Sequence, residues 1–332
     1  MNWQVITGLR FLLAFFIICE HLKPFIVDPG HDFFYMARKL TPLGNVIGVI
    51  LISGYLTAYS IKKNPEGFYK RRLLRLYPLY FCAIIISGLP FALFGSPIHL
   101  LNGELKVQAD LGSTLGYLFF LQGFVVGPFS SNAPLWPLGV LPVTYALTPL
   151  FSKLPSKILL SLIGCSAALY VAVPYFYHWL YHAELPYYSY LRFGLPFGLF
   201  LWVWLLGFLY SRERHTLSAR VLLLFGCLML ILNQQRTGIV VVAVYGLTCL
   251  VLIFSSSIRL PSFLLNFLGY LGNISYPVYL FHLPTFLLSH ILLGVNHSLT
   301  LLFLALLVGM LFYHAVDLPL RSRRVIVPET SG

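Results

Sequence analysis

VITGLRFLLAFFIICEHLKPF, from Val5 to Phe25, is long and apolar enough to cross a bilayer, yet it carries a guanidinium at Arg10 and an imidazole at His21. A spanning helix takes about 20 apolar residues, and a charge inside one is costly enough to mark function by default. Eleven positions separate the two side chains. That is about 1,100° of helix rotation, within about 20° of three whole turns, with a rise of roughly 16 Å. Arg10 and His21 therefore share one face, half a membrane apart, and that face points into protein or a water-filled cavity. The competing reading has Arg10 snorkelling to one headgroup layer and His21 lying near the other.

The rest of the chain has the same character. Of 332 residues, 58% are hydrophobic and 10% are charged, against about 25% charge in ordinary globular chains, and mean hydropathy is +0.83. No soluble core of this length hides that fraction. Apolar runs at 5–25, 44–61, 77–95, 136–152, 158–178, 191–210, 221–232, 238–254, 272–293 and 299–316 give ten candidate helices and leave no room for a second, soluble domain. The chain reads as an all-α polytopic membrane protein, one membrane-embedded domain over 1–332. Gly44-x-x-x-Gly48 offers a close helix contact.

Residues 114–126 are also apolar but run into Gly127-Pro-Phe-Ser-Ser-Asn-Ala-Pro134, and charge decides how they are read. With the N-terminus inside, ten spans place 15 of the 22 Lys and Arg residues in cytoplasmic stretches: Lys62 to Arg75, Lys153 with Lys157, Arg212 to Arg220, Arg259, and Arg321 to Arg324. Opposite lie Lys23, Arg38, Lys39, Lys106, Arg192 and Arg236, with Asp28, Asp32, Glu104, Asp110 and Glu184. An eleventh span would invert every basic loop from Lys153 to Arg259. The positive-inside bias thus predicts about ten transmembrane helices, a re-entrant or interfacial segment around 114–135, and both termini in the cytoplasm.

Other classes fall away. Met1 to Ile6 lacks a basic n-region and no small-residue cleavage site follows, so the first run reads as a retained span. Cys19, Cys82, Cys165, Cys227 and Cys249 are widely spaced in apolar runs, which suits neither a disulfide framework nor a zinc site; no metal is expected. The formal charge of +12 does not imply nucleic acid, because it is divided among short loops.

Three further stretches carry candidate chemistry. In Phe68-Tyr-Lys-Arg71-Arg72-Leu-Leu-Arg75-Leu-Tyr77-Pro78, Arg72 and Arg75 are i,i+3 neighbours if helical, two forks able to hold a phosphorylated ligand; ordinary topogenic charge beside anionic lipid is the other reading. In Pro134-Leu-Trp136-Pro-Leu with Tyr145 and Pro149, the Trp and Tyr lie on nearly opposite helix faces, and an interfacial aromatic belt also accounts for Trp136. In Leu271-Gly-Asn-Ile-Ser-Tyr-Pro277-Val-Tyr279-Leu-Phe-His282-Leu-Pro284, the histidine stands between two prolines, either in a site or in a hydrogen bond across helices.

Taken in order, these pieces resemble acyltransferase family 3, the integral-membrane O-acyltransferases of surface or secreted carbohydrates. Arg10 and His21 match its opening Arg-x10-His motif. Leu51-Ile-Ser-Gly-Tyr55 matches a Leu-Ser-Gly-Phe type element, and Arg72 to Arg75 with Tyr77 and Pro78 matches a basic Arg-x-x-Arg motif. Leu135 to Leu138 with Tyr145 and Pro149, Leu271 to Pro284, and Asp317-Leu-Pro319 complete the series, so the resemblance covers nearly the whole chain. One departure matters: many members have a glutamate five residues after the Trp, where this chain has Leu141. Glu20, next to His21, lies outside the motif and reads as a compensating acid or an interfacially solvated one.

The resemblance implies an acyl-CoA-dependent O-acetyltransferase of the bacterial inner membrane, with acetyl-CoA as donor and a hydroxyl of an extracytoplasmic or surface polysaccharide as acceptor. Its partners would be the lipid bilayer, the carbohydrate acceptor and a polysaccharide synthesis or export complex. Arg71, Arg72 and Arg75 would hold the nucleotide, the pantetheine arm would pass Arg10 through a helix-lined channel, and His21 would act as general base. Trp136, Tyr145, Tyr279 and His282 would contact substrate. Direct transfer and an acyl-histidine intermediate both remain open. The main alternative class is a transporter or flippase for a lipid-linked saccharide, which lacks an obvious duplicated half; a structural subunit of an export complex is a third.

Overall fold

The computed structural model describes residues 2–40, 42–105, 110–213, 216–233 and 238–322; Lys106, Arg214, Arg236, Arg323 and Arg324, counted among the loop charges above, lie outside the described residues. All ten apolar runs are helical: α1 (Trp3–Glu20), α2 (Pro42–Lys63), α3 (Phe68–Phe94), α4 (Val140–Lys153), α5 (Ser156–Tyr181), α6 (Leu195–Glu213), α7 (Leu217–Leu232), α8 (Ile239–Phe254), α9 (Ser262–Leu293) and α10 (Ser298–Phe312). With the turns that extend α1, α4 and α10, eight are long and apolar enough to cross a membrane. The other two, α7 and α8, have 16 residues each and rise about 24 Å, short of the roughly 30 Å hydrocarbon layer. Two helices start a good deal earlier than hydropathy suggests. α3 begins at Phe68 because Lys70, Arg71, Arg72 and Leu73 are good helix formers that an apolar window excludes, and α9 begins at Ser262.

Ends are marked as the residues demand. The Asn2 side chain accepts from Val5 N–H at the start of α1, and Thr216 does the same for Ala219 N–H at α7, each satisfying one orphan donor of a first turn. α3 ends at Gly95 with φ of 74°, a conformation that an L side chain resists.

Residues 114–135 hold no spanning helix. An eight-residue helix, Leu111–Leu118, is followed by an irregular turn and then a 3-10 stretch, Ser130–Gly139, which leads straight into α4. The directions of the helices confirm that this segment returns to the side it left. Arg10 meets Gly272 and Ser275 while His21 meets His282, so α1 and α9 run parallel; an eleventh span between them would have made them antiparallel. Tyr69 near the start of α3 donates to Ala146 O at the middle of α4 at 3.0 Å.

Helix contacts rely on small residues, as expected where lipid competes for apolar surface. Gly54 of α2 and Gly207 of α6 face each other: a Cβ on Gly54 would lie 1.9 Å from Trp204 O, and one on Gly207 would lie 2.0 Å from Leu51 O. The Gly44-x-x-x-Gly48 pair lies against α8, where added Cβ atoms would come within 3.1 Å of Val241 Cα and 3.0 Å of Thr248 Oγ1.

The 130–139 stretch is tied into the bundle by polar groups. Pro284 has no N–H to give to Leu280 O four residues earlier. The buried Asn132 amide supplies the missing donor at 3.0 Å and also donates to Ser87 Oγ at 2.9 Å. Beyond His21, a short hairpin, β1 (Ile98–Leu100) with β2 (Gly103–Leu105), docks through Asn102, whose amide donates to Lys23 O at 3.0 Å and Ile26 O at 2.7 Å. Nearby, Arg38 donates to Asp32 at 2.6 Å and to Pro29 O at 2.6 Å, and Ser298 donates to the other Asp32 oxygen. This clip joins the loop after α1 to the start of α10.

Candidate active site

Two constellations lie along the parallel pair α1 and α9. At the first, Arg10 Nε–H donates to Ser275 Oγ at 3.1 Å and its Nη2 donates to Gly272 O, while Ser275 Oγ itself donates to Gly272 O at 2.8 Å. Gly272 makes this contact available, since a Cβ there would lie 2.4 Å from Thr7 Cβ of α1. On α3, Arg72 donates to Leu56 O at 3.3 Å and its guanidinium sits 5.1 Å from the Tyr145 ring centroid and 5.4 Å from that of Phe68. Arg72 Nε is buried with no partner among the described residues. One turn on, Arg75 forms no hydrogen bond or ion pair with a described residue.

Arg10, Arg72 and Arg75 line one cavity with about 1,020 Å³ of free space, its open mouth included. Tyr145, Tyr276 and Tyr279 add hydroxyls, and Ala14, Ile17, Ile50 and Leu138 add apolar wall. None of its lining residues is acidic. Leu141, where the resemblance leads one to look for a glutamate, lines this cavity as an aliphatic wall. The carboxylate of Asp317, just after α10, is already engaged by Arg321, which also reaches Asn273 on the α9 turn that holds Arg10. Arg321 Nε donates to Asp317 at 2.9 Å and Arg321 Nη1 to Asn273 Oδ1 at 2.9 Å. Asp317 closes a π-helical turn, Tyr313–Asp317, a local widening common at functional positions. Guanidiniums on three helical positions facing one space with no carboxylate in its lining are able to hold a polyanion.

At the second constellation, His21 caps the C-terminus of α1 and is partly exposed. Its Nδ1 lies 2.9 Å from Nε2 of His282, with ring centroids 5.1 Å apart and planes 20° from parallel. His282 is fully buried, and its Nδ1 is 2.7 Å from Tyr279 O. Ile17, one turn before His21, and Tyr279, one turn before His282, form the cavity wall nearest the imidazoles, and His21 is not among the lining residues. The cavity among the described residues therefore does not include His21, as the expected continuous channel would; the Tyr279 hydroxyl on its wall is held on Pro134 O.

The remaining sequence candidates separate. Tyr145 and Tyr279 line the cavity. Arg71 does not; its guanidinium donates to Glu66 O and Asn64 O in the loop before α3. Trp136 is buried against Tyr188 and Phe200, with centroids 5.9 and 5.4 Å away, and is also off the lining. Glu20 pairs with Lys23. Sequence reasoning did not single out Ser275, Tyr276 or Asn132. Ser275 and Tyr276 fall within the Leu271 to Pro284 stretch, at i+3 and i+4 from Gly272. The signal for Asn132 was Pro284, which leaves a carbonyl that some side chain has to satisfy.

A family model described as an acyltransferase domain, that of acyltransferase family 3, matches residues 3–314. No curated protein and no solved structure matches the chain.

Proposed function

The chain belongs to acyltransferase family 3, and from that premise we propose that it moves an acyl group, expected to be acetyl, from cytoplasmic acyl-CoA to a hydroxyl of an extracytoplasmic or surface polysaccharide. Its setting would be the bacterial inner membrane, with both termini in the cytoplasm. The observation that carries this reading is the cavity lined by Arg10, Arg72 and Arg75 with no carboxylate among its walls, ending one turn from a partly exposed imidazole.

A nucleotide bearing several phosphates cannot cross the bilayer and is held where those guanidiniums converge. Arg72 and Arg75 take the phosphates. Arg10, pinned to Gly272 and Ser275, lies deeper, on the path of the pantetheine arm. The thioester then reaches the Ile17 and Tyr279 wall, which has to part for the carbonyl to meet the acceptor. His21 removes the acceptor hydroxyl proton as general base, the freed oxygen attacks the thioester carbon, the carbon–sulfur bond breaks and the thiolate recovers the proton. The acceptor approaches from the exposed side of His21, beside the 98–105 hairpin.

The experiment is release of free thiol from acetyl-CoA by purified protein with surface polysaccharide of its source cells as acceptor. His21→Ala should lower turnover by about 10²- to 10⁴-fold, the usual contribution of a positioned acid or base, with acetyl-CoA binding retained. Wild-type turnover in that variant removes the histidine from the chemistry, and absence of thiol release by the unaltered protein favours a transporter.

A further inference from the structure

The contacts of His282 determine which atom of His21 acts. We infer that His282 is a positioning residue that fixes His21 as the Nδ1–H tautomer, leaving Nε2 of His21 as the atom that takes the hydroxyl proton; this rests on the acyl-transfer reading above. A backbone carbonyl has no proton to give, so the 2.7 Å contact between His282 Nδ1 and Tyr279 O requires the proton on His282 Nδ1. In a neutral imidazole the other nitrogen is then an acceptor. His282 Nε2 therefore accepts, and at 2.9 Å the proton between the rings belongs to His21 Nδ1. The opposite assignment would set two bare lone pairs against each other at that distance. His21 Nε2 makes no hydrogen bond with a described residue, so its lone pair is open to substrate.

The surroundings hold His282 in this role. It is 0% exposed, and its ring is packed edge-on to Phe286 at 5.7 Å and beside Tyr279 at 5.9 Å. With both nitrogens used, it has no free donor or acceptor for a substrate. The acceptor O–H bond breaks toward His21 Nε2 as the new carbon–oxygen bond forms, and the imidazolium so produced strengthens its Nδ1–H bond to His282 because one partner is now charged. Breaking of the carbon–sulfur bond then returns the Nε2 proton to the thiolate.

The test uses full-length protein in nanodiscs with ¹⁵N-labelled histidine, the His21 signals being identified by their loss in His21→Gln. In the unaltered protein His21 should show a protonated Nδ1 and a bare Nε2. In His282→Phe it should become a tautomer mixture, with kcat for acetyl-CoA-dependent thiol release falling about 10- to 100-fold, as when other ring-orienting partners are removed, and KM for acetyl-CoA within about twofold. His282→Gln, whose Oε1 can accept from His21 Nδ1–H, should recover most of kcat. A His21 protonated on Nε2 in the unaltered protein, or full kcat in His282→Phe, overturns the inference. Turnover retained in His21→Ala instead overturns the general-base reading itself.

Discussion

Replacing Arg75 by methionine removes one of three cavity guanidiniums and keeps an unbranched stem. Arg75 has no hydrogen-bond or ion-pair partner among the described residues, so the substitution orphans nothing. Arg10 and Arg72 share the same space, so losing a like charge relieves repulsion and stability should hold or rise. The ligand feels the opposite effect. A hydrogen bond to a charged group contributes about 1.5–3 kcal/mol, and each 1.4 kcal/mol or so is tenfold in affinity, so acetyl-CoA should bind about 10- to 150-fold more weakly. Arg72→Met is the contrasting case, since it also forfeits contact with the Phe68 and Tyr145 rings, about 0.5–2 kcal/mol of folding stability. Isothermal titration with acetyl-CoA and thermal unfolding of both variants in nanodiscs separate the two quantities. An unchanged Kd in Arg75→Met, or an unfolding temperature several degrees lower, refutes the assignment of Arg75 as a ligand-facing cation.

Gly54→Ala should destabilise the fold by about 1–3 kcal/mol, read as earlier unfolding in a detergent titration, because its Cβ would sit 1.9 Å from Trp204 O. Single cysteines at Gly103 and Glu184 should react with an impermeant thiol reagent from one face of the membrane, and one at Glu66 from the other; labelling of Gly103 and Glu184 from opposite faces would refute the ten-span parity. Asp32 gives a pH signature. Burial pushes its carboxyl up, but hydrogen bonds from Ser298, Arg38 and Phe34 N–H outweigh this and hold it below its ordinary value. A depressed carboxylate stabilises above its unfolded pKa of about 3.9 and loses that contribution as pH falls through the lower folded value. Wild-type unfolding temperature should therefore drop below about pH 4 relative to Asp32→Asn, and parallel curves would dismiss the clip.

The helices were legible because a bilayer imposes length and composition together: each of the ten apolar runs is a helix, eight of them long enough to span and two, α7 and α8, shorter. Charge bias also placed 114–135 correctly as a non-spanning segment, since counting Lys and Arg by loop is a parity test that the α1 and α9 directions independently repeat. Arg10, Arg72 and Arg75 were legible as residues out of place in apolar or helical surroundings, and the cavity joins all three. Arg71 was not separable from them, because neighbours in sequence point about 100° apart on a helix and nothing in the string says which one faces inward. Trp136 and His282 stood out in the sequence, each with two readings, and the choice between them was not legible for a related reason. Whether a large polar ring lines a space or braces another side chain depends on tertiary neighbours such as Tyr188, Phe200 and His21, which lie far away in the chain.

Arg10 and His21 ride on one continuous rod, and everything that holds them, Gly272, Ser275 and His282, rides on another. Sliding one rod past the other by a single helical turn of about 5.4 Å would undo both attachments together, so the settings of Arg10 and His21 cannot be changed separately. If the proposed reading holds, a change of acceptor is thereby directed to the parts outside this rigid pair, above all the 98–105 hairpin and the loop from Lys23 to Lys39. Those parts can change shape around the rim while the machinery beneath them keeps its spacing.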